Sequence, residues 1–123
     1  DKVLSQLAAI FKRMLRDVDS PGRYGGEEFC IILPGTGKKE SVFVGERIRR
    51  TIETESFPGE SHLPLGRLTI SLGIASFPAD GVTSNELIHA ADLALYRAKA
   101  MGRNRLVLFE PSIEEKSLPA LRG

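Results

Sequence analysis

The segment with the clearest chemical potential is residues 23–29, where two glycines are followed directly by two glutamates. Gly25 and Gly26 have no Cβ, so the backbone can turn tightly there and approach a ligand closely. In an extended segment, Glu27 and Glu28 face opposite sides. One carboxylate could therefore hold a hard cation at a hairpin tip while the other meets solvent or a basic partner. The alternative is a glycine hairpin flanked by solvated acidic side chains. Spacing alone favours this alternative, because short motifs often arise by chance.

Two further groups of charged residues have structural explanations that need no ligand. Lys99 and Arg103 lie around the end of a predicted helix, where cations interact favourably with the helix dipole even without a ligand. Arg16 and Asp19 have the i, i+3 spacing of an ion pair that closes a helix. Arginine can also donate two hydrogen bonds to an anionic group such as a phosphate, but the spacing of these residues does not by itself indicate a ligand.

The hydrophobic pattern predicts three helices and four strands that would position these residues. The predicted helices are residues 3–18, 38–52 and 87–101, the third with a capping box at 83–86 and a stop at Gly102. The predicted strands are residues 23–24, 29–33, 68–77 and 105–109, the first two forming a hairpin at the glycine pair. A turn at 19–22 would end the first helix.

The same pattern predicts which residues are buried. The strand at 29–33 is apolar throughout, so we expect it to be buried on both faces, with Cys30 in the core. The strand at 68–77 alternates, with Leu68, Ile70, Leu72 and Ile74 on one face. The small residues of its other face would let a helix or a nucleotide approach closely. On the second helix, we expect Lys38, Lys39, Glu46, Arg49 and Arg50 to point mostly outward.

The element order α-β-β-α-β-α-β favours an α+β fold in which helices cover a mixed sheet. A ferredoxin-like β-α-β-β-α-β core would fit if a further strand stood before residue 1. That strand would be central, so we expect the chain to begin partway through its domain. We expect this domain to cover residues 1–110 and a loosely held tail to cover 111–123.

Composition indicates an ordinary globular protein of 123 residues, 41% hydrophobic and 27% charged, with a formal net charge of +1. The near-neutral net charge argues against a broad nucleic-acid-binding surface. The single cysteine excludes an internal disulfide and a cysteine-cluster zinc site. The sequence has neither a signal-peptide pattern nor an apolar run long enough to span a bilayer. A cytoplasmic location is the default expectation, although the parent protein could be tethered to a membrane.

Residue identities in four segments resemble the diguanylate cyclase family. Residues 25–29 are similar to its GG(D/E)EF signature in the Gly-Gly-Glu-Glu-Phe form, and residues 1–4 to the end of its Gly-Asp-x-x-Leu element. Residues 69–75 resemble its T-x-S-x-G-x-A strand, with Thr69 directly before Ile70. Residues 91–99 and 102–104 resemble its closing A-D-x-A-L-Y-x-A-K…G-R-N block. The resemblance covers residues 1 to about 109 in the correct order.

The resemblance implies a nucleotidyl-cyclase-like fold that condenses two GTP into cyclic di-GMP and releases pyrophosphate. It implies Mg²⁺ or Mn²⁺ as cofactor and a homodimer in which each subunit holds one GTP. By position, Glu27 would be a metal ligand, and Glu28 belongs to the catalytic turn without an assigned role. The substrate-binding positions would be Gly25 and Gly26 against the nucleotide, Lys99 and Arg103 on the phosphates, and Asp1 on the guanine edge.

The resemblance also implies a regulatory site. Arg16 and Asp19 match the family's R-x-x-D inhibitory motif at the expected distance before the signature, and Arg47 occupies the position of a further arginine of that site. These three residues would bind the product, cyclic di-GMP, and restrain the enzyme.

One departure from the family concerns a missing segment. Its members carry an upstream D-x-D-x-F-K-x-x-N-D element with a metal-binding aspartate, and residues 1–123 contain no match to it. We therefore expect the complete domain to be active, the chain by itself to be inactive, and a sensory domain to lie upstream. The alternatives are a non-catalytic receptor for cyclic di-GMP or GTP and a dimerisation module.

Overall fold

The computed structural model describes residues 2–25, 28–63 and 66–111, and of residues 22–25, 28 and 29 it describes the backbone alone. Within these ranges the predicted element order is confirmed, with one short 3₁₀ helix added. The elements are α1 (Lys2–Met14), β1 (Ser20–Gly25), β2 (Glu28–Ile32), α2 (Lys38–Thr54), the 3₁₀ helix (Glu60–His62), β3 (Leu72–Ile74), α3 (Ser84–Ala100) and β4 (Leu106–Leu108).

The strands pair in two separate sheets. β1 and β2 form an antiparallel hairpin, and β3 and β4 are parallel neighbours connected through α3. The α+β class is confirmed, but the described strands do not form the single mixed sheet that the sequence predicts.

The β3–β4 pair is enclosed between α2 and α3. A Cβ added to Gly45 of α2 would meet the side chains of Leu106, Ile74 and Leu72, so these strand residues point towards α2. A Cβ added to Gly73 would instead collide with the backbone of α3. The predicted alternation of the strand is therefore confirmed, and the approach allowed by its small face is that of a helix.

The main hydrophobic core lies between α1 and α2. It consists of Leu7, Ile10, Phe11, Ile48, Ile52 and Phe57, with Leu68 and Ile70 among the partly buried residues packed against it. Ile10, Ile48 and Ile52 are its largest fully buried side chains. Burying each such side chain contributes roughly 1.5–3 kcal/mol, so this helix pair is a major source of the domain's stability.

The N-terminus of α3 has the predicted capping box. The Glu86 amide donates to Thr83 Oγ1 at 3.1 Å, and the Thr83 amide donates to Glu86 Oε1 at 3.2 Å. These bonds satisfy amides that have no partner within the helix, so α3 begins at Ser84, earlier than predicted. The backbone hydrogen bond from Val82, together with those from Thr83, lowers the pKa of Glu86.

The end of the first helix is predicted four residues too late. α1 ends at Met14, because the Arg16 amide and side chain turn back to the Asp19 carboxylate. Pro21 and Gly22, predicted as a turn, belong to β1. A proline without an amide hydrogen is tolerated on such an outer strand.

Three burial and length predictions are also wrong. Ile32 of β2 is 59% exposed and Cys30 is only half-buried, because it is Ile31, on the opposite face of the strand, that packs against the core. The predicted strand at 68–77 has ladder pairing only at Leu72–Ile74, opposite the short β4. The side chain of Arg49 is 13% exposed, rather than pointing outward, because its ion pairs hold it against α2.

Candidate functional site

Gly25 and Glu28 of the Gly-Gly-Glu-Glu-Phe signature pair with each other in the β1–β2 hairpin. The register shifts between Arg23 and Gly25. This shift is a local irregularity of the kind that re-aims residues at strand ends. The sequence-based hairpin is thereby confirmed in its backbone. Gly26 and Glu27, the two residues between the strands in sequence, lie outside the described residues.

A metal site cannot be built from the described part of the chain. Within it, three or more carboxylate, histidine or cysteine side chains do not come together as a candidate metal site. Glu27 and Asp1 lie outside the described residues, and the side chain of Glu28 is not described. The metal role of Glu27 therefore stays a prediction from the sequence.

The two predicted phosphate-binding cations flank the C-terminus of α3. Lys99 lies in its last turn and is half-buried, whereas Arg103 is exposed three residues after the helix. The Gly102 amide donates to the Lys99 carbonyl at 3.2 Å and the Arg103 amide to the Ala98 carbonyl at 3.0 Å. This is the Schellman arrangement, which satisfies the last carbonyls of a helix and turns the chain sharply. It places Lys99 and Arg103 at the same end of α3.

Arg16 and Asp19 form a tight ion pair. Arg16 Nη2 lies 2.7 Å from Asp19 Oδ1, and Arg16 Nε lies 3.2 Å from both carboxylate oxygens. The Asp19 side chain is 4% exposed, and that of Arg16 is 55% exposed. The hydrogen bond between them lowers the pKa of Asp19 and raises that of Arg16. The pair thus fixes one end of the guanidinium and leaves much of it open to solvent.

Two partners of Arg16 were missed by the sequence analysis. Arg16 Nη2 also donates to the Pro34 carbonyl at 2.8 Å and to Thr36 Oγ1 at 2.9 Å. Both lie in the connection that leads into α2. Their separation from Arg16 along the chain follows no local pattern, so sequence spacing could not have indicated them. They tie the Arg16 turn to the segment before α2.

Arg47 lies near the middle of α2 and is exposed. Its guanidinium carbon lies 5.9 Å from the centroid of the Phe43 ring, which is itself 65% exposed. A cation over an aromatic face one turn away is a weak attraction at an exposed site. Arg47 is therefore oriented by its own helix, whereas Arg16 is held by Asp19 and the 34–36 loop.

The structure thus brings some predicted site residues together and leaves others undescribed. Arg16 contacts Asp19 directly, and Lys99 and Arg103 share the end of α3. Asp1, Gly26 and Glu27 lie outside the described residues. Across the described ranges, none of the helices is long and apolar enough to cross a membrane.

Comparisons with known proteins identify the family of the chain. The family model described as "Diguanylate cyclase, GGDEF domain" matches residues 1–105. Diguanylate cyclase A of Treponema denticola is 38% identical over 108 residues, which cover 88% of this chain and 29% of that protein. This chain therefore spans less than a third of that relative's length.

Solved structures give the same result. The active GGEEF domain of a diguanylate cyclase from Vibrio cholerae superposes with a TM-score of 0.71 at 29% identity, covering 89% of this chain and 68% of that one. The GGDEF domain of DgcB from Caulobacter crescentus, solved in complex with c-di-GMP, superposes with a TM-score of 0.70 at 26% identity, covering 86% and 62%. These matches confirm the nucleotidyl-cyclase-like fold. The chain belongs to the GGDEF family of diguanylate cyclase domains.

Proposed function

We propose that this chain is part of a diguanylate cyclase domain that condenses two GTP into cyclic di-GMP and releases pyrophosphate. In each half-reaction the 3′-oxygen of one GTP forms a bond to the α-phosphorus of the other. The bond from that phosphorus to the β-phosphate bridging oxygen breaks, pyrophosphate leaves with the electron pair, and the 3′-hydroxyl loses its proton. Two such steps close the ring, so two active sites must face each other in a homodimer.

The observation that carries this proposal is the Gly-Gly-Glu-Glu-Phe sequence of a GGDEF family member, whose Gly25 and Glu28 pair in the β1–β2 hairpin. A bound Mg²⁺ or Mn²⁺ would neutralise phosphate charge and lower the pKa of the attacking hydroxyl, with Glu27 as a ligand. Gly25 and Gly26 would lie against the nucleotide, and Asp1 would accept hydrogen bonds from guanine. We assign Glu28 to the catalytic turn.

Lys99 and Arg103 would bind the triphosphate. Arg103 is exposed at the end of α3, and its backbone is held by the Schellman hydrogen bonds. A guanidinium donates paired hydrogen bonds to phosphate oxygens, whereas an ammonium acts as a point charge. The match of these positions to the GGDEF family supports a role beyond complementing the helix dipole.

Arg16, Asp19 and Arg47 would form a second site that binds cyclic di-GMP and inhibits the enzyme. Arg16 supports this role because Asp19 fixes its guanidinium while more than half of the side chain stays accessible. The buried Asp19 would orient Arg16 towards a phosphate or guanine edge. Exposed Arg47 would supply a further cation.

The test of the activity uses the full-length protein, incubated with GTP and Mg²⁺, with products separated by chromatography. We expect cyclic di-GMP and pyrophosphate from the unmodified protein and almost none from Glu27→Gln. Glu110→Gln, at an exposed position outside the site, is the matched control. Full turnover by Glu27→Gln would refute the metal role. Binding of cyclic di-GMP without turnover by the unmodified protein would instead favour the receptor function.

The test of the product site is calorimetry with cyclic di-GMP. Arg16→Ala removes a guanidinium that donates charge-assisted hydrogen bonds, so we expect affinity to fall at least about tenfold. Arg13→Ala is the control, because Arg13 is 58% exposed on α1 and its ion pair with Glu55 is 4.0 Å long. Equal affinity in all three proteins would remove the product-site role from Arg16.

A further inference from the structure

The turn between α3 and β4 has an unusual backbone. Gly102, Arg103 and Asn104 have φ values of 120°, 65° and 47°. Glycine adopts positive φ at little cost, but arginine and asparagine do so only in the small left-handed region. Two such residues in succession need contacts that hold them there. The turn that presents Arg103 is therefore determined by its surroundings.

Both peptide groups of Arg103 are fixed. Its amide donates to the Ala98 carbonyl at 3.0 Å, and its carbonyl accepts from Arg105 Nε at 3.0 Å. The first bond ties Arg103 to α3, and the second ties it to the start of the chain that enters β4. The base of the Arg103 side chain is thus held on both sides, while the side chain itself is exposed.

Asn104 attaches this turn to α2. Its Oδ1 accepts a hydrogen bond from Arg49 Nη1 at 2.9 Å, and its Nδ2 donates to Glu53 Oε2 at 2.6 Å. One amide side chain therefore uses its acceptor and a donor on two neighbouring charged groups. Such charge-assisted bonds are shorter and stronger than neutral ones.

Arg49 is in turn held by its own helix. Its Nε and Nη2 donate to the two oxygens of Glu46 at 2.8 and 3.1 Å, and its Nη1 lies 3.7 Å from Glu53. The Arg49 side chain is 13% exposed, so these bonds are partly shielded from water. The group Glu46, Arg49, Glu53 and Asn104 is hereafter called the α2 clamp. It connects α2 to the residue that follows Arg103.

We propose that the α2 clamp is a positioning device for triphosphate binding, with Asn104 as its central residue. It acts through Arg103 by fixing the left-handed turn, so that the guanidinium is presented to the phosphates in one direction. A side chain on a fixed base loses less freedom on binding and stays aligned with the reacting phosphate. This inference rests on the proposed function, because it takes Arg103 as a phosphate-binding residue.

The experiment measures binding of an α,β-methylene analogue of GTP, which cannot release pyrophosphate, to the parent protein in Mg²⁺ buffer by calorimetry. Arg103→Ala should weaken binding by about tenfold or more, the usual effect of losing a charge-assisted hydrogen bond. Asn104→Ala should weaken it by about three- to tenfold through misplacement of Arg103. When Arg103→Ala is already present, adding Asn104→Ala should cause no further loss. A purely structural role would give the same loss in both backgrounds.

Two more variants keep the test independent of folding. Asn104→Gly tolerates the left-handed backbone but removes the clamp, so it should bind as weakly as Asn104→Ala even if that variant is unstable. Lys39→Ala is the control on the same helix, because Lys39 is an exposed cation of α2 outside the clamp. It should bind the analogue as the unmodified protein does.

The outcomes separate the two proposals. If Arg103→Ala binds the analogue with unchanged affinity, the phosphate role in the proposed function fails, and the inference fails with it. If Arg103→Ala weakens binding but Asn104→Gly does not, the positioning role is refuted while the proposed function stands. If the Asn104 substitution lowers analogue affinity equally in the unmodified protein and in the Arg103→Ala protein, the positioning role is also refuted while the proposed function stands.

Discussion

Replacing Gly73 with alanine tests the close packing of α3 on β3. The added Cβ would lie 2.8 Å from Leu95 Cα and would overlap the Ala91 carbonyl oxygen and the Leu95 amide nitrogen. Carbon atoms pack best about 3.5–4.0 Å apart, so α3 must move away by about 1 Å. The colliding atoms are backbone, so a side-chain rotation cannot relieve them. Overpacking of this kind costs about 1–3 kcal/mol, and we expect about 3 kcal/mol here.

Gly45→Ala is the matched control on the opposite side of the same strands. Its Cβ would lie 2.6 Å from Leu106 Cδ1, the end of a flexible side chain that can rotate away. Alanine also favours a helix over glycine by about 1 kcal/mol, which offsets the remaining crowding. We therefore expect its free energy of unfolding to stay within about 1 kcal/mol of the unmodified protein.

The assay is urea unfolding of the three proteins, followed by far-UV circular dichroism. Stability changes are obtained from shifts of the midpoint at constant slope. A Gly73→Ala protein as stable as the unmodified one would refute the packing argument. An equal loss of stability in Gly45→Ala would also refute it, because it would show that an added methyl group on either side of the β3–β4 pair is destabilising.

Three further perturbations follow from local contacts. Thr83→Ala removes the side-chain acceptor of the α3 capping box and should lower the free energy of unfolding by about 1 kcal/mol. Ser84→Ala should change it much less, and equal urea midpoints for the two variants would contradict the stabilising role of the cap. Ile52→Ala, at a fully buried position, should lower the free energy of unfolding by about 2–5 kcal/mol, whereas Val82→Ala, at a position that is 66% exposed, should change it little. In the folded protein the pKa of Asp19 is below its ordinary value of 3.8. The ionised carboxylate therefore stabilises the fold fully above pH 3.8, and this stabilisation is lost as the pH falls through the folded-state pKa. The stability difference between the unmodified protein and Asp19→Asn should therefore be constant above about pH 5 and shrink towards about pH 2, and a difference independent of pH would refute this role.

The parts of the fold that sequence predicted are those set by neighbouring residues. The capping box at Thr83 and Glu86, the hairpin at the glycine pair and the alternation around Gly73 each depend on contacts within a few positions or on a simple period. The bounds of β3 depend on its partner β4, more than thirty residues later. The exposure of Ile32 depends on which neighbours cover β2. Long-range packing determines both, so they could not be derived from local pattern.

The candidate site divides in the same way. The Arg16–Asp19 pair follows from i, i+3 spacing, but the bonds from Arg16 to Pro34 and Thr36 do not. The bond from Arg49 to Asn104 joins residues far apart in the chain, and nothing in their local spacing indicates it. The positive φ of Asn104 could have been suspected, because asparagine after a helix-ending glycine often adopts the left-handed region.

Helix α2 carries residues of both proposed sites, and its geometry keeps them apart. Arg47 and Arg49 are two positions apart, which is about 200° around a helix with 3.6 residues per turn. The surroundings of the two side chains fit this separation, because Arg47 is exposed beside Phe43 and Arg49 is bonded to the other members of the α2 clamp. The proposed product site and the Arg103 turn therefore share the backbone of α2 but not one face. Arg47→Ala should weaken binding of cyclic di-GMP and leave affinity for the methylene GTP analogue unchanged, whereas Arg49→Ala should do the reverse. Calorimetry with both ligands measures this, and an equal loss of analogue affinity in Arg47→Ala would show that the two faces do not act separately.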